Sequence, residues 1–211
     1  MGWSDLAATT LENEYVRLRP VTQDDYASLH AIAKDPEIWR YTVDRVETDA
    51  DFDTYFEGLL REHLSGRRVA FHITDKRSGR AAGGRSFCNM VETARRLEIG
   101  RAWLGREFRG RGVNRWVDHL LMEHAFERMG AERVEFKTHV SNRRARHALH
   151  KLGATEEGTL RSYDPTPGGG RHDVVFFSVL RAEWPSVKQR AAAPAPAPVH
   201  PPPPTAPTQW P

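Results

Sequence analysis

The sequence predicts a mixed α/β fold of the α+β type, a mostly antiparallel sheet with helices set between and against its strands. Three observations predict it. Short alternating apolar runs are interleaved with segments whose apolar residues recur every three or four positions. Two adjacent runs, Val69 to Thr74 and Ala81 to roughly Val91, are separated by the turn Lys76-Arg77-Ser78-Gly79, the pattern of an antiparallel hairpin. From Leu97 to Met129 a strand, an arginine-and-glycine loop and an amphipathic helix follow one another directly.

Residues 1–13 carry no clear pattern, and 1–10 are expected to be a loose arm ahead of a single domain over 11–190. Tyr15 to Arg19 alternates as a first strand and ends at Pro20. Thr22 with Asp25 forms a capping signal for a helix carrying Tyr26, Leu29, His30 and Ala33, which stops before Pro36. Ile38-Trp39-Arg40-Tyr41 is then an aromatic loop, in which Trp39 and Tyr41 either pack into the core or wall a substrate site. Thr48 and Asp51 repeat the cap for a second helix, whose apolar face is Phe52, Tyr55, Phe56, Leu59, Leu60 and His63, with Gly66 beyond its end. Within the hairpin that follows, Gly83-Gly84 marks a bulge or a close backbone approach.

In the central unit Leu97, Ile99, Trp103 and Leu104 form the strand, and Gly110 and Gly112 punctuate the loop. Val113, Trp116, Val117, Leu120, Leu121, His124 and Ala125 share one helical face, with Gly130 as the stop. Arg133 to Val140 alternates as a strand, and Ser141 or Asn142 caps a short helix ending at Leu152-Gly153. Thr155 to Tyr163 and Asp173 to Leu180 are two further strands joined by the segment DPTPGGGR. From Ala191 to Pro211 the chain turns to proline and alanine, a composition that cannot offset its ordering entropy by burial and is expected to be disordered with polyproline II character.

The chain has 211 residues, 39% hydrophobic and 28% charged, enough for one sizeable core. A net charge of +3 suits an anionic small ligand but is too weak for a nucleic-acid binder. The single cysteine, Cys88, excludes an internal disulfide and fits a reducing compartment. No apolar run approaches membrane-spanning length and no leader pattern opens the chain, so a cytoplasmic protein without membrane contact is expected. Nothing in the sequence points to a metal site.

A glycine turn opening a helix is an anion site, because the first amides of a helix lack internal partners and lie at its positive end. Arg109, Arg111 and Arg115 add charge there. A nucleotide P-loop would need Lys and Ser/Thr after the last glycine, where Val113 and Asn114 stand. A dinucleotide fingerprint would need a small residue at Arg115. A surface turn with solvated arginines is the plain alternative, and the remaining reading is an acyl-CoA loop of the RGRGV type.

That loop, the run LEIG…WLGREFRGRGVN, the strand VEFKTHV with Asn142 after it, and KLGA leading into EEGTLR occur together in an order and spacing that resemble the GNAT superfamily. The likeness is to its RimJ/RimL-like branch of ribosomal-protein N-terminal and small-amine acetyltransferases, and it covers roughly Leu11 to Trp184. The resemblance implies a GNAT-like sheet with a splayed central strand pair and acetyl-CoA as co-substrate. It implies that pantetheine bonds backbone near Trp103 and Leu104, that the pyrophosphate rests on the amides of Arg109, Gly110, Arg111, Gly112, Val113 and Asn114, and that Asn142 holds the pantetheine arm as well as capping its helix. The acceptor would be the primary amine of a small molecule or a protein N-terminus, and a homodimer is compatible with the family. Glu98 stands at the family's general-base position, with a structural ion pair as its other reading. The family's acid positions hold Ala145 and Leu149 instead of Ser and Tyr, leaving His139, His147, His150 and Tyr163 as nearby candidates.

Overall fold

The computed structural model describes residues 2–166 and 169–192, so the expectation for the proline-rich tail lies outside the described residues. One eight-stranded sheet organises the chain. Its strands are β1 (Leu11–Glu12), β2 (Val16–Pro20), β3 (Arg68–Asp75), β4 (Arg80–Val91), β5 (Arg96–Leu104), β6 (Arg133–His139), β7 (Thr155–Pro165) and β8 (Arg171–Leu180). They lie in the order β1-β2-β3-β4-β5-β6-β8-β7. Every pairing is antiparallel except β5 with β6. This is the expected α+β class.

The helices are α1 (Trp3–Ala7), α2 (Tyr26–Ala33), α3 (Asp49–Leu64), α4 (Val113–Glu123), α5 (Arg143–Leu152) and α6 (Trp184–Ala192). One face of the sheet sends Val16, Leu18, Phe71, Phe87, Leu97, Ile99, Val134, Phe136 and Phe177 into a large core shared with α1, α4, α5 and α6. The other face meets α2 and α3 in a smaller core of Leu29, Phe52, Phe56, Leu59, Ala70 and Trp103.

The predicted caps form. Asp25 accepts from the Thr22 amide at 2.8 Å, in a 3₁₀ turn that leads into α2. Thr48 and Asp51 exchange hydrogen bonds at 3.1 and 2.8 Å at the start of α3. Gly83-Gly84 is a close approach: a Cβ on either would run into Trp103, its backbone at Gly83 and its indole at Gly84. Residues before the first strand depart from the expected loose arm. They form α1, pinned by Trp3, which is 5% exposed and donates from Nε1 to the Met129 carbonyl at 2.7 Å. The helix expected to run to Met129 ends its regular part at Glu123 and continues as a π turn over His124–Arg128. There His124 hydrogen-bonds the Leu6 carbonyl at 2.7 Å, so docking of α1 and the altered turn occur at one place.

Candidate active site

Strands β5 and β6 pair only through Arg96–Arg133, Leu97–Val134 and Glu98–Glu135. β5 then continues to Leu104 along β4, while β6 continues to His139 along β8. The sheet therefore parts immediately beyond Glu98. An extra residue in β5 between its Gly100 and Trp103 pairings, with Arg101 held at φ 52°, bends the strand away at that point.

Glu98 is 5% exposed, because neighbouring Leu97 and Ile99 fix the alternation that directs it to the opposite face. Its Oε2 accepts from Asn89 Nδ2 at 2.7 Å and lies 3.8 Å from Lys137 Nζ. Asn89 reaches it from a bulge in β4, where Asn89 adopts φ 47°, a conformation asparagine tolerates better than most residues. Beside Glu98, the Cys88 thiol is pushed up to about 11 by burial and then by the Glu98 charge, which makes it a packed thiol and not a nucleophile.

The loop after β5 has the expected form. Gly110 and Gly112 take φ 74° and 85°, and Gly112 is the N-cap of α4, its carbonyl accepting from Trp116 at 3.1 Å. The amides of Val113, Asn114 and Arg115 thus open the helix without helical acceptors. The three arginines do three different things. Arg109 turns inward: its Nε donates to the Leu104 carbonyl at 2.9 Å, and its guanidinium lies 3.0 Å from Asp35 at an angle that makes an ion pair without a hydrogen bond. Arg111 is exposed. Arg115 lies 4.3 Å from the centre of the Trp116 ring, which stacks on Tyr15, and its Nε and one terminal nitrogen are buried without a partner.

Gly105 donates to Ala82 on β4, so alternation turns the main chain of Leu104 toward β6, where Arg109 already holds its carbonyl. Trp103 packs on the smaller core and donates from Nε1 to Tyr55 at 2.9 Å. Burial raises the Tyr55 hydroxyl to about 12, so it stays protonated. Trp39 is 6% exposed, donates to the Ala33 carbonyl at 2.8 Å and packs on Tyr55 and Trp103, which is the core alternative stated above. Tyr41 is partly exposed, 5.4 Å from His139, which stacks on His172 at 4.3 Å. Burial and the neighbouring His172 lower His139. Asn142 accepts from the Ala145 amide at 3.1 Å, the plain helix cap. Asn89 and Lys137 escaped sequence reasoning; an asparagine late in a strand was the available sign of a bulge.

A parted parallel strand pair in an otherwise antiparallel sheet, facing a glycine-opened helix, can take an extended thiol arm between the strands and a diphosphate at the helix. A family model described as an acetyltransferase (GNAT) domain matches residues 16–155. The chain belongs to the GNAT acetyltransferase family, enzymes that move an acetyl group from acetyl-CoA to an amine. It is 33% identical over 144 residues to a Bacillus subtilis (strain 168) protein provisionally named ribosomal N-acetyltransferase YdaF, covering 65% of this chain and 75% of that one. The crystal structure of a GCN5-related N-acetyltransferase from Brucella melitensis superposes with a TM-score of 0.79 at 27% identity, over 86% of this chain and 83% of the other. Mycobacterium smegmatis RimJ, in complex with CoA-disulfide, shares the fold with a TM-score of 0.72 at 24% identity, over 90% and 95% of the two chains. No helix among the described residues is long and apolar enough to cross a membrane.

Proposed function

We propose that this chain acetylates a primary amine by direct attack of the amine on the thioester of acetyl-CoA, and that it belongs to the RimJ/RimL-like branch with a protein N-terminus as acceptor. The observation that carries the transfer reading is the parting of β5 from β6 just beyond Glu98, opposite a helix that opens at Gly112. The provisional name of the YdaF relative supports the peptide acceptor over a small amine.

In this reading the amides from Gly110 to Asn114 hold the diphosphate, the Arg109 amide being engaged by the Arg106 carbonyl at 3.3 Å, and Arg111 and Arg115 supply cationic charge. The side chain of Arg109 braces the loop, since both its contacts are with protein groups. The pantetheine arm lies beside Leu104, flanked by Asn142. Bound there, acetyl-CoA provides an activated acyl group. Glu98 takes the proton from the incoming ammonium, directly or through water; Asn89 holds Oε2 and leaves Oε1 for that task. A β5 amide facing β6 steadies the carbonyl oxygen. Ala145 and Leu149 carry no proton to donate, so the sulfur takes its proton from water or from one of His139, His147, His150 and Tyr163. Tyr41 walls the acceptor side, with Trp39 packed behind it. The catalytic domain takes in 11–190 together with α1, whose Trp3 and Ala7 lie in its main core.

Thiol release from acetyl-CoA, followed across peptides with free N-termini and a panel of small amines, tests this. Release with the peptides is expected, with Glu98→Gln losing turnover at unchanged CoA affinity. Protein that binds CoA yet releases no thiol with any amine would overturn it.

A further inference from the structure

A buried ion pair ties the first turn of α4 to the middle of the sheet. Asp118, 3% exposed, receives Arg85 of β4 on Oδ1 at 2.5 Å and Asn114 Nδ2 on Oδ2 at 2.8 Å. Arg85 is 6% exposed, and its Nε has no partner. A buried pair with an orphaned donor is a poor stabilising device, because desolvation offsets most of the attraction. Its placement suggests another use. Helical side chains lean toward the N-terminus, so the Asp118 carboxylate lies alongside the turn of Asn114, at the end of the helix that should attract an anion. Burial pushes the Asp118 carboxyl up, and left alone it would either repel a diphosphate or take up a proton and give up an acceptor site.

We propose that Arg85 is a positioning residue for the diphosphate site: it cancels the Asp118 charge, so that Asp118 can anchor Asn114 and fix the first turn without opposing the ligand. This rests on the reading of the Gly110–Asn114 loop as the CoA grip. The carboxylate is needed for its acceptor oxygens and the guanidinium for its charge. Arg85 touches no ligand in this scheme and acts through Asp118.

Calorimetric titration with CoA across five proteins, with melting temperatures taken in parallel, tests the inference. Arg85→Gln should weaken CoA roughly tenfold or more, the scale of one uncompensated charge a helical turn from the ligand. Arg85→Lys should keep most of the affinity. Asp118→Asn, which leaves Arg85 as an uncompensated cation, should bind at least as tightly as the unaltered chain, and Arg85→Gln with Asp118→Asn, which has neither charge, should recover the affinity of the unaltered chain. A structural role would lower the melting temperature of the double variant without this recovery. Unchanged affinity in Arg85→Gln, or a double variant that stays as weak as Arg85→Gln, overturns the proposal. Should Arg85→Gln fail to fold, the comparison of the double variant with the unaltered chain decides, a clearly weaker double variant overturning the proposal. If the unaltered chain takes up no CoA, the reading of the loop fails instead.

Discussion

The carboxylate of Glu98 occupies the space beside Gly100 that any side chain at that position would fill. A Cβ built on Gly100 falls well inside contact distance of Glu98 Oε1, and its three nearest atoms all belong to the Glu98 side chain. The obstacle is the mobile end of a side chain, so the strand can accept alanine if the carboxylate moves. Gly100→Ala should therefore displace Glu98 from Asn89 and reduce turnover by about a hundredfold or more, the usual scale for losing a general base. Unfolding by urea should show a change of only about 1 kcal/mol. Full activity in this variant would argue that Glu98 is a structural carboxylate.

Gly83 has no such escape. Its φ is 153° and a Cβ would drive into the backbone of Trp103 in the neighbouring strand. Gly83→Ala should cost about 3 kcal/mol or more in denaturant titration, because both strain and a strand separation are required. Gly84→Ala meets only the Trp103 indole, at 2.9 Å from Nε1, and should cost less while disturbing the Trp103–Tyr55 bond.

Acidification should destabilise the fold well before its carboxylates are protonated. Burial lowers His63, His72, His119, His124 and His139. For a group whose folded value lies below its unfolded one, the unfolded state binds more protons in the interval between them. Stability is then complete above about pH 6.5 and falls as pH drops below it. Glu157, held down at about 2 by its bond to Arg133, weakens the fold only at far lower pH. The melting temperature at pH 5.5 should accordingly lie below that at pH 7.5, and His124→Gln, whose amide can still donate to Leu6, should flatten the dependence. A level profile between these pH values would contradict the burial argument.

Trp3 should matter to a domain it precedes. Its ring is buried in the main core and its indole nitrogen satisfies Met129. Trp3→Ala should cost about 3–5 kcal/mol in equilibrium unfolding. A loss under 1 kcal/mol would mean that α1 is only loosely held.

What could be read in the sequence was local. Caps at Thr22 and Thr48, the hairpin glycines and the helix opening at Gly112 each depend on residues within a few positions of one another, and each has a residue type that only a few conformations suit. α1 was missed because five residues show no helical period and its hold on the fold runs through Trp3 and Met129, 126 positions apart. α6 was also unforeseen, since Trp184 and Val187 alone give too short an apolar stripe. At the site, position along the chain suggested Glu98, but its partners come from two other strands. Arg109 shows the limit most plainly: its place in the loop suggested a ligand contact, yet the guanidinium pairs with Asp35, and only tertiary structure could reveal that direction. The Arg85–Asp118 pair, 33 residues apart, has no sequence signature at all.

The three residue pairs joining β5 to β6 give the sheet the mechanics of a book. Its two covers, β1 to β5 and β6 to β8, are bound along one side by the core that runs under both, and at the spine by a single short ladder. An occupant slipped between the covers would stitch main chain to main chain where the ladder stops. Amide exchange along Ile99–Leu104 and Phe136–His139 should then slow on loading, even where no side chain touches the guest.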